Sequence, residues 1–230
     1  MKEVLGELRR SQLISTFGVG SMVDMPSLTG VVMGLDFWDS ARCLPISEPR
    51  LLRAVQSTLG KSVRDIRSGP QKPESANNPF PIDPSGVPTA VFPRWLRCPL
   101  CSTLAPLESG LFKLQTEAFR GDRTRYIHDG CTRRGTRTDS SMPAAVPARF
   151  VVACEKGHLE DFPWVSFVHR GTPCDKPRLR LFESGVTGEA ADVFARCESC
   201  EKARPMSDAF GAQNDISAAP CNGYHAHLHA

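Results

Sequence analysis

Apolar positions recur with different periods along the chain, and the period sorts its elements. In the segment from Glu48 to Leu59, Leu51, Leu52, Val55 and Leu59 fall on one face of a 3.6-residue repeat. Pro49 stands in the first turn and Gly60 follows the last, so a helix is expected over 48–59. The run Gly30-Val31-Val32-Met33-Gly34-Leu35-Asp36-Phe37-Trp38 is nearly continuous in apolar character and predicts a strand around 30–38, preceded from Ser11 onward by a short helix or turn. Phe150-Val151-Val152-Ala153 reads as a buried strand. Gly18 and Gly20 could bring backbone N–H groups to a phosphate. With no third glycine and no Gly-Lys-Ser/Thr, however, they favour a tight turn.

Between Pro70 and Pro88 six prolines (70, 73, 79, 81, 84 and 88) stand among Asn, Ser and Gly, which sustains neither a helix nor a central strand. The expected division is an N-terminal α/β segment at 1–69, a proline-rich linker or loop at 70–90, and a Cys/His-rich zinc-binding region at 91–230. The fold class that fits is α+β, loop-rich and zinc-stapled, with a small mixed sheet and short helices. No internal repeat is visible beyond recurring cysteine pairs.

Composition narrows the class. The 230 residues are 40% hydrophobic, with 28 basic against 25 acidic side chains and a net charge of +3. Collagen-like, coiled-coil and wholly disordered chains are excluded, and nothing global demands a nucleic acid or a membrane. The cations are concentrated locally. Arg120, Arg123, Arg125, Arg133, Arg134 and Arg137 face only Asp122 and Asp129 in their stretch, with Tyr126 and His128 interleaved, which makes a candidate nucleic-acid contact or an ordinary solvated loop. Arg50, Arg53, Lys61, Arg64 and Arg67 read as a solvated face. The N-terminus carries acids where a signal peptide needs an apolar run, and no stretch approaches 18 apolar residues, so a cytoplasmic location without membrane contact is expected.

Nine cysteines, about 4% of the chain, are too few for a disulfide scaffold and too clustered to be only small core residues. In a reducing compartment, paired cysteines point to metal. Cys98-Pro99-Leu100-Cys101 presents two sulfurs from one turn, half of a tetrahedral zinc site, with Cys131 thirty residues on. Cys154-x3-His158, with Gly157 allowing the turn, is followed by His169-x4-Cys174, and these four would complete a site by themselves. Cys197-Glu198-Ser199-Cys200 with Cys221 supplies three thiolates and lacks a fourth ligand, which His225, His227 or His229 could provide. Cys43 has no partner nearby and reads as a buried bystander; Cys131, His169 and Cys174 divide evenly between ligand and core. One to three structural zinc ions follow.

The same residues permit an enzyme. His158-Leu159-Glu160 is H-x-E, and with Cys197 and Cys200 it resembles the zinc-deaminase signature, in which Glu shuttles protons. Here Arg196 replaces the proline before the cysteine pair, and Cys154 and Cys221 could close the position water needs. No nucleophile elbow and no Walker motif is present. A stand-alone nucleic-acid-binding zinc module is a third possibility.

Several segments resemble the DrmB family of the DISARM bacteriophage-defence system. They are Arg10 to Asp24, Gly34 to Trp38, Phe92-Pro93-Arg94-Trp95 to Cys101, and above all Arg149 to Trp164, which holds Cys154-Glu155-Lys156-Gly157-His158-Leu159-Glu160-Asp161-Phe162-Pro163-Trp164. Cys197 to Cys200, Arg204 to Gly211 and Cys221 to Leu228 match as well. The resemblance implies a non-catalytic component that works beside a helicase-like partner, DrmA, in a complex engaging DNA. It places Cys98, Cys101, Cys154, His158, Cys174, Cys197, Cys200 and Cys221 on the family's cysteine and histidine positions. It also implies that residue 230 is a truncation point, which would leave the third group without its natural fourth ligand. Near Cys131 the second cysteine of the family is here Arg133 or Arg134. The expected role is therefore a zinc-stabilised scaffold or adaptor in an anti-phage complex.

Overall fold

A computed structural model describes residues 12, 15–70, 86–117, 120, 123–183, 190–210 and 221–228. Most of the proline-rich stretch, 71–85, and His229 lie outside the described residues.

The first sheet is antiparallel, with β1 (Met22–Met25) and β2 (Leu28–Val32) paired from Met22 opposite Val31 to Met25 opposite Leu28. Gly20, at φ 82°, turns the chain into it, and Ser21 N–H donates to Gly18 O at 3.0 Å, the expected tight turn. The strand expected around 30–38 ends early, and Leu35–Phe37 form a 3-10 turn instead. The cause is the C-terminal segment. Gly34 N–H donates to His227 O at 2.8 Å, and a Cβ at Gly34 would stand 2.8 Å from Leu228 Cδ2, so another piece of chain crosses where the strand would continue.

Helix α1 (Pro49–Leu59) forms where the apolar period places it. Glu48 accepts from Arg50 N–H at 3.3 Å at its start, and Gly60 ends it at φ 94°. Its expected apolar face packs only partly: Leu52 and Val55 are half-buried, while Leu51 and Leu59 are exposed. The strand β3 (Thr89–Val91), emerging from the proline-rich stretch, pairs with β2 and completes the first sheet.

The second sheet is built from β4 (Trp95–Arg97), β5 (Thr103–Pro106), β8 (Val146–Pro147), β11 (Leu179–Glu183), β12 (Val193–Cys197) and β13 (Ala203–Pro205). Their order across it is β13-β12-β11-β5-β4-β8. Two hairpins flank it: β6 (Phe112–Gln115) with β7 (Arg125–His128), and β9 (Val151–Ala153) with β10 (Leu159–Asp161). Every described strand pair is antiparallel. β9 is half-buried to exposed rather than buried, because only β10 covers its edge. The short helix α2 (Trp164–His169) buries Trp164, Phe167, Val168 and His169.

Apolar burial is divided among three small cores. The largest gathers Phe162, Trp164, Phe167, Leu179, Leu181, Val193 and Met206 beside Cys197. A second surrounds Leu96, Phe112, Ile127 and Met142 with Cys98, Cys101 and Cys131. The third comprises Val31, Met33, Phe92 and Ala226, with Leu159 and Tyr224 against it. Fixing backbone costs about 1–2 kcal/mol per residue, so a chain with long loops and divided cores gains much from crosslinks. Among the described residues no helix is long and apolar enough to cross a membrane.

Candidate metal centres

Three Cys/His clusters among the described residues could hold a metal ion such as zinc. Within each cluster all the donor atoms lie within 4.8 Å of one another.

The first cluster is Cys98, Cys101, His128 and Cys131, all buried. Cys98 and Cys101 sit in the turn between β4 and β5. Cys98 N–H donates to Thr103 O at 2.9 Å, Ser102 N–H to Cys98 O at 2.9 Å, and Ser102 takes φ 60° to close the knuckle. From β7 and the turn after it come His128, with Nδ1 3.2 Å from Cys101 Sγ, and Cys131, with Sγ 3.8 Å from Cys98 Sγ. Zinc–sulfur bonds of about 2.3 Å in a tetrahedron give sulfur–sulfur edges of about 3.8 Å, so the donor set fits the ion. Burial pushes the Cys98 thiol up to about 12, and burial holds His128 below its usual value and thus neutral. Cys101 lies below its usual value: burial raises it, but hydrogen bonds from the Thr103 side chain and backbone outweigh that.

The second cluster is His169, Cys174, Cys197 and Cys200. A knuckle of the same design joins β12 to β13: Cys197 N–H donates to Lys202 O at 2.8 Å, and Glu201 takes φ 61°. Here burial raises the Cys197 thiol, but the backbone N–H groups of Cys200, Arg178 and Ser199 more than reverse it, to about 6. A thiolate is thereby favoured before any metal arrives. Cys174 Sγ stands 3.7 Å from Cys197 Sγ; its thiol is held above the usual value by burial and by its neighbours Cys197 and Cys200. His169 Nδ1 lies 2.7 Å from Val165 O and Nε2 3.4 Å from Cys200 Sγ. With the proton on Nδ1 given to the carbonyl, Nε2 is the free donor toward the cluster.

The third cluster is Cys154, His158 and Cys221, half-buried to exposed. The tip of the β9–β10 hairpin carries the first two: Gly157 at φ 83° donates to Cys154 O at 2.9 Å, and Cys154 N–H to His158 O at 3.1 Å. His158 Nδ1 meets Cys154 Sγ at 3.3 Å and Cys221 Sγ at 3.2 Å. The His158 backbone contact, with help from the Lys156 N–H, draws Cys154 below its usual value although desolvation opposes it.

The structure brings the residues together in a different grouping from the one their order suggests. Cys154 and His158 do not join His169 and Cys174. His169 ends α2 and Cys174 lies in the loop after it; α2 packs on β12 and therefore meets the Cys197–Cys200 knuckle. Cys221 lies 63 positions from His158, on the segment whose Tyr224 O accepts from Leu159 N–H at 3.2 Å, and so joins the hairpin tip instead of the knuckle. His128 was missed as a donor. Its signal is His128-Asp129-Gly130-Cys131, the same two-residue spacing as the cysteine pairs. Cys43 is buried apart from all three clusters, with Sγ 3.5 Å from Asp39 O. The deaminase constellation is not assembled: His158 stands in one cluster and Cys197 with Cys200 in another, while Glu160 accepts from Asn222.

The chain from His158 to Trp164 ties the cores together. Leu159 packs in the third core, Asp161 Oδ1 accepts from Arg94 and Trp95 N–H at 2.8 and 3.3 Å, and Phe162 and Trp164 fill the largest core. Asp161 is held above its usual value mainly by burial, which those two donors do not fully offset.

The model of a family described as a domain of unknown function, DUF8724, matches residues 9–230. The chain belongs to that family. A curated relative, the DISARM protein DrmB of Bacillus paralicheniformis (strain ATCC 9945a / NCIMB 11709 / CD-2), is 33% identical over 109 residues. The match covers 46% of this chain and 18% of that protein.

The arginines of the basic stretch flank His128 and Cys131 of the first cluster. Arg134 pairs with Asp139 at 2.5 Å, Arg123 with Glu117 at 3.4 Å, and Arg125 donates to Ser140 O. Arg133 and Arg137 are exposed and reach backbone carbonyls, Leu100 O and Arg134 O; Arg120 is exposed and also engaged.

Proposed function

We propose that this chain is a cytoplasmic, non-catalytic part of an anti-phage defence complex, a zinc-stabilised scaffold that associates with a helicase-like partner and assists DNA engagement. The carrying observation is the pair of four-donor clusters, each Cys3His built on a hairpin knuckle, the first wholly buried and the second buried at His169 and Cys197. A closed donor set leaves no coordination position for a reacting water, which suits a structural ion. Similarity to a DISARM protein DrmB supports the defence setting. The partner and DNA contact are inferred from the resemblance of the motifs. The domain division at 70–90 belongs to the same reading.

Co-expression with a helicase-like DrmA-type protein, followed by copurification, tests the adaptor role. Retention of a stoichiometric complex is expected, and its absence would remove the claim. For DNA, the exposed Arg133 and Arg137 hang from the metal-held turn at Cys131, so a phosphate-contacting surface is expected there. Binding of the complex to a duplex should weaken steeply with salt, and Arg133→Ala with Arg137→Ala should flatten that slope by about two charges. A slope unchanged by the double substitution would locate DNA contact elsewhere.

A further inference from the structure

The third cluster differs from the others in how its last donor is held. Cys154 and His158 share a hydrogen-bonded hairpin tip, but Cys221 is exposed and comes from a segment 63 positions beyond His158 that belongs to no described strand. What fixes that segment is its neighbour. Asn222 N–H donates to Glu160 Oε1 at 2.9 Å, and Asn222 Nδ2 donates to Glu160 Oε2 at 2.8 Å, so both carboxylate oxygens grip one residue. Glu160 lies on β10, two positions after His158, and is thus rigidly referenced to the other two donors. Leu159 N–H to Tyr224 O and the His158–His225 ring contact at 4.6 Å continue the docking along the same segment.

We propose that Glu160 is a positioning residue for the third metal centre: its bidentate grip on Asn222 sets Cys221 Sγ against Cys154 and His158. This rests on the metal-binding reading of that cluster. Charge-assisted pairs of this kind are stronger than neutral ones and orient donors they do not touch. The grip also links metal binding to the seating of residues 221–228 past the end of β2, where His227 O receives Gly34 N–H.

The test is an isosteric exchange in the 230-residue chain, with zinc as probe. Glu160→Gln sets two amide NH2 groups face to face, Asn222→Asp sets two carboxylates face to face, and the double variant restores a complementary pair with the direction of one bond reversed. Zinc affinity at the third cluster, measured by competition with a chromophoric chelator, should fall about 10- to 100-fold in each single variant and return to within a few-fold of the original in the double. Hydrogen exchange at the Gly34 and Leu159 amides should follow the same order. Wild-type affinity in both single variants, or no recovery in the double, overturns the proposal. Cys154→Ser separates the underlying reading: if it leaves zinc stoichiometry unchanged, the cluster binds no metal, and the positioning role falls with it.

Discussion

The two knuckle-borne clusters and the hairpin-tip cluster use the same residue types under opposite physical conditions. In the first two, four donors are gathered within or against an apolar core from a knuckle and a second element, with Cys98 and Cys197 wholly buried. In the third, three described donors lie half-exposed, one on a segment 63 positions away. A buried, closed set makes metal affinity part of folding free energy, whereas an exposed set makes it a local tether. With zinc bound, the first two clusters would hold the fold and the third would seat a segment.

The largest expected effect follows from removing a knuckle donor. Cys98→Ser or Cys197→Ser should abolish cooperative folding, since structural zinc contributes on the order of 10 kcal/mol or more. Cys221→Ser should leave the thermal transition largely intact and release only the C-terminal segment. Circular dichroism melts of the three variants check this; equal losses in all three would erase the distinction. Next in size is the bridge between them. Asp161→Ala leaves the Arg94 and Trp95 N–H groups without an acceptor and should cost about 1–3 kcal/mol in urea unfolding. Asp161→Asn keeps the accepting oxygen and should cost less.

Its pH dependence has a definite sign. The folded carboxyl is raised above 3.8 by burial, so the stability Asp161 contributes is fully present below that value and declines as pH rises through its folded value. Asp161→Asn should remove that decline, measurable in unfolding between about pH 3 and 6. The smallest effect belongs to α1, where Leu51→Ala or Leu59→Ala at exposed positions should change stability by about 0.5 kcal/mol or less.

How much of this was legible in the sequence varies with the range of the interaction. Helix α1, the Gly20 turn and the cysteine pairs are set by neighbours within a few positions, and their residues announce them. Pairing among clusters depends on which strand lies beside which. Nothing local to His169 says that α2 packs on β12, and nothing local to Cys221 says that its segment crosses β10. The early end of β2 at Val32 has the same origin, because the obstruction at Gly34 comes from residues 227 and 228. His128 stands among arginines that point to phosphate, and the pairing of β6 with β7 that carries it toward Cys101 is not visible in its own neighbourhood. Glu160 suggested a proton shuttle by its spacing from His158; its two bonds to Asn222 give it a place in holding the loop instead.

The most direct test counts the ions and the order of their release. Elemental analysis of protein purified without chelator, followed by stepwise chelator titration, should give three zinc ions per chain. One should leave first without unfolding, and two should leave only together with loss of secondary structure. Fewer than two tightly held ions, or a fold that survives removal of all three, would contradict the account.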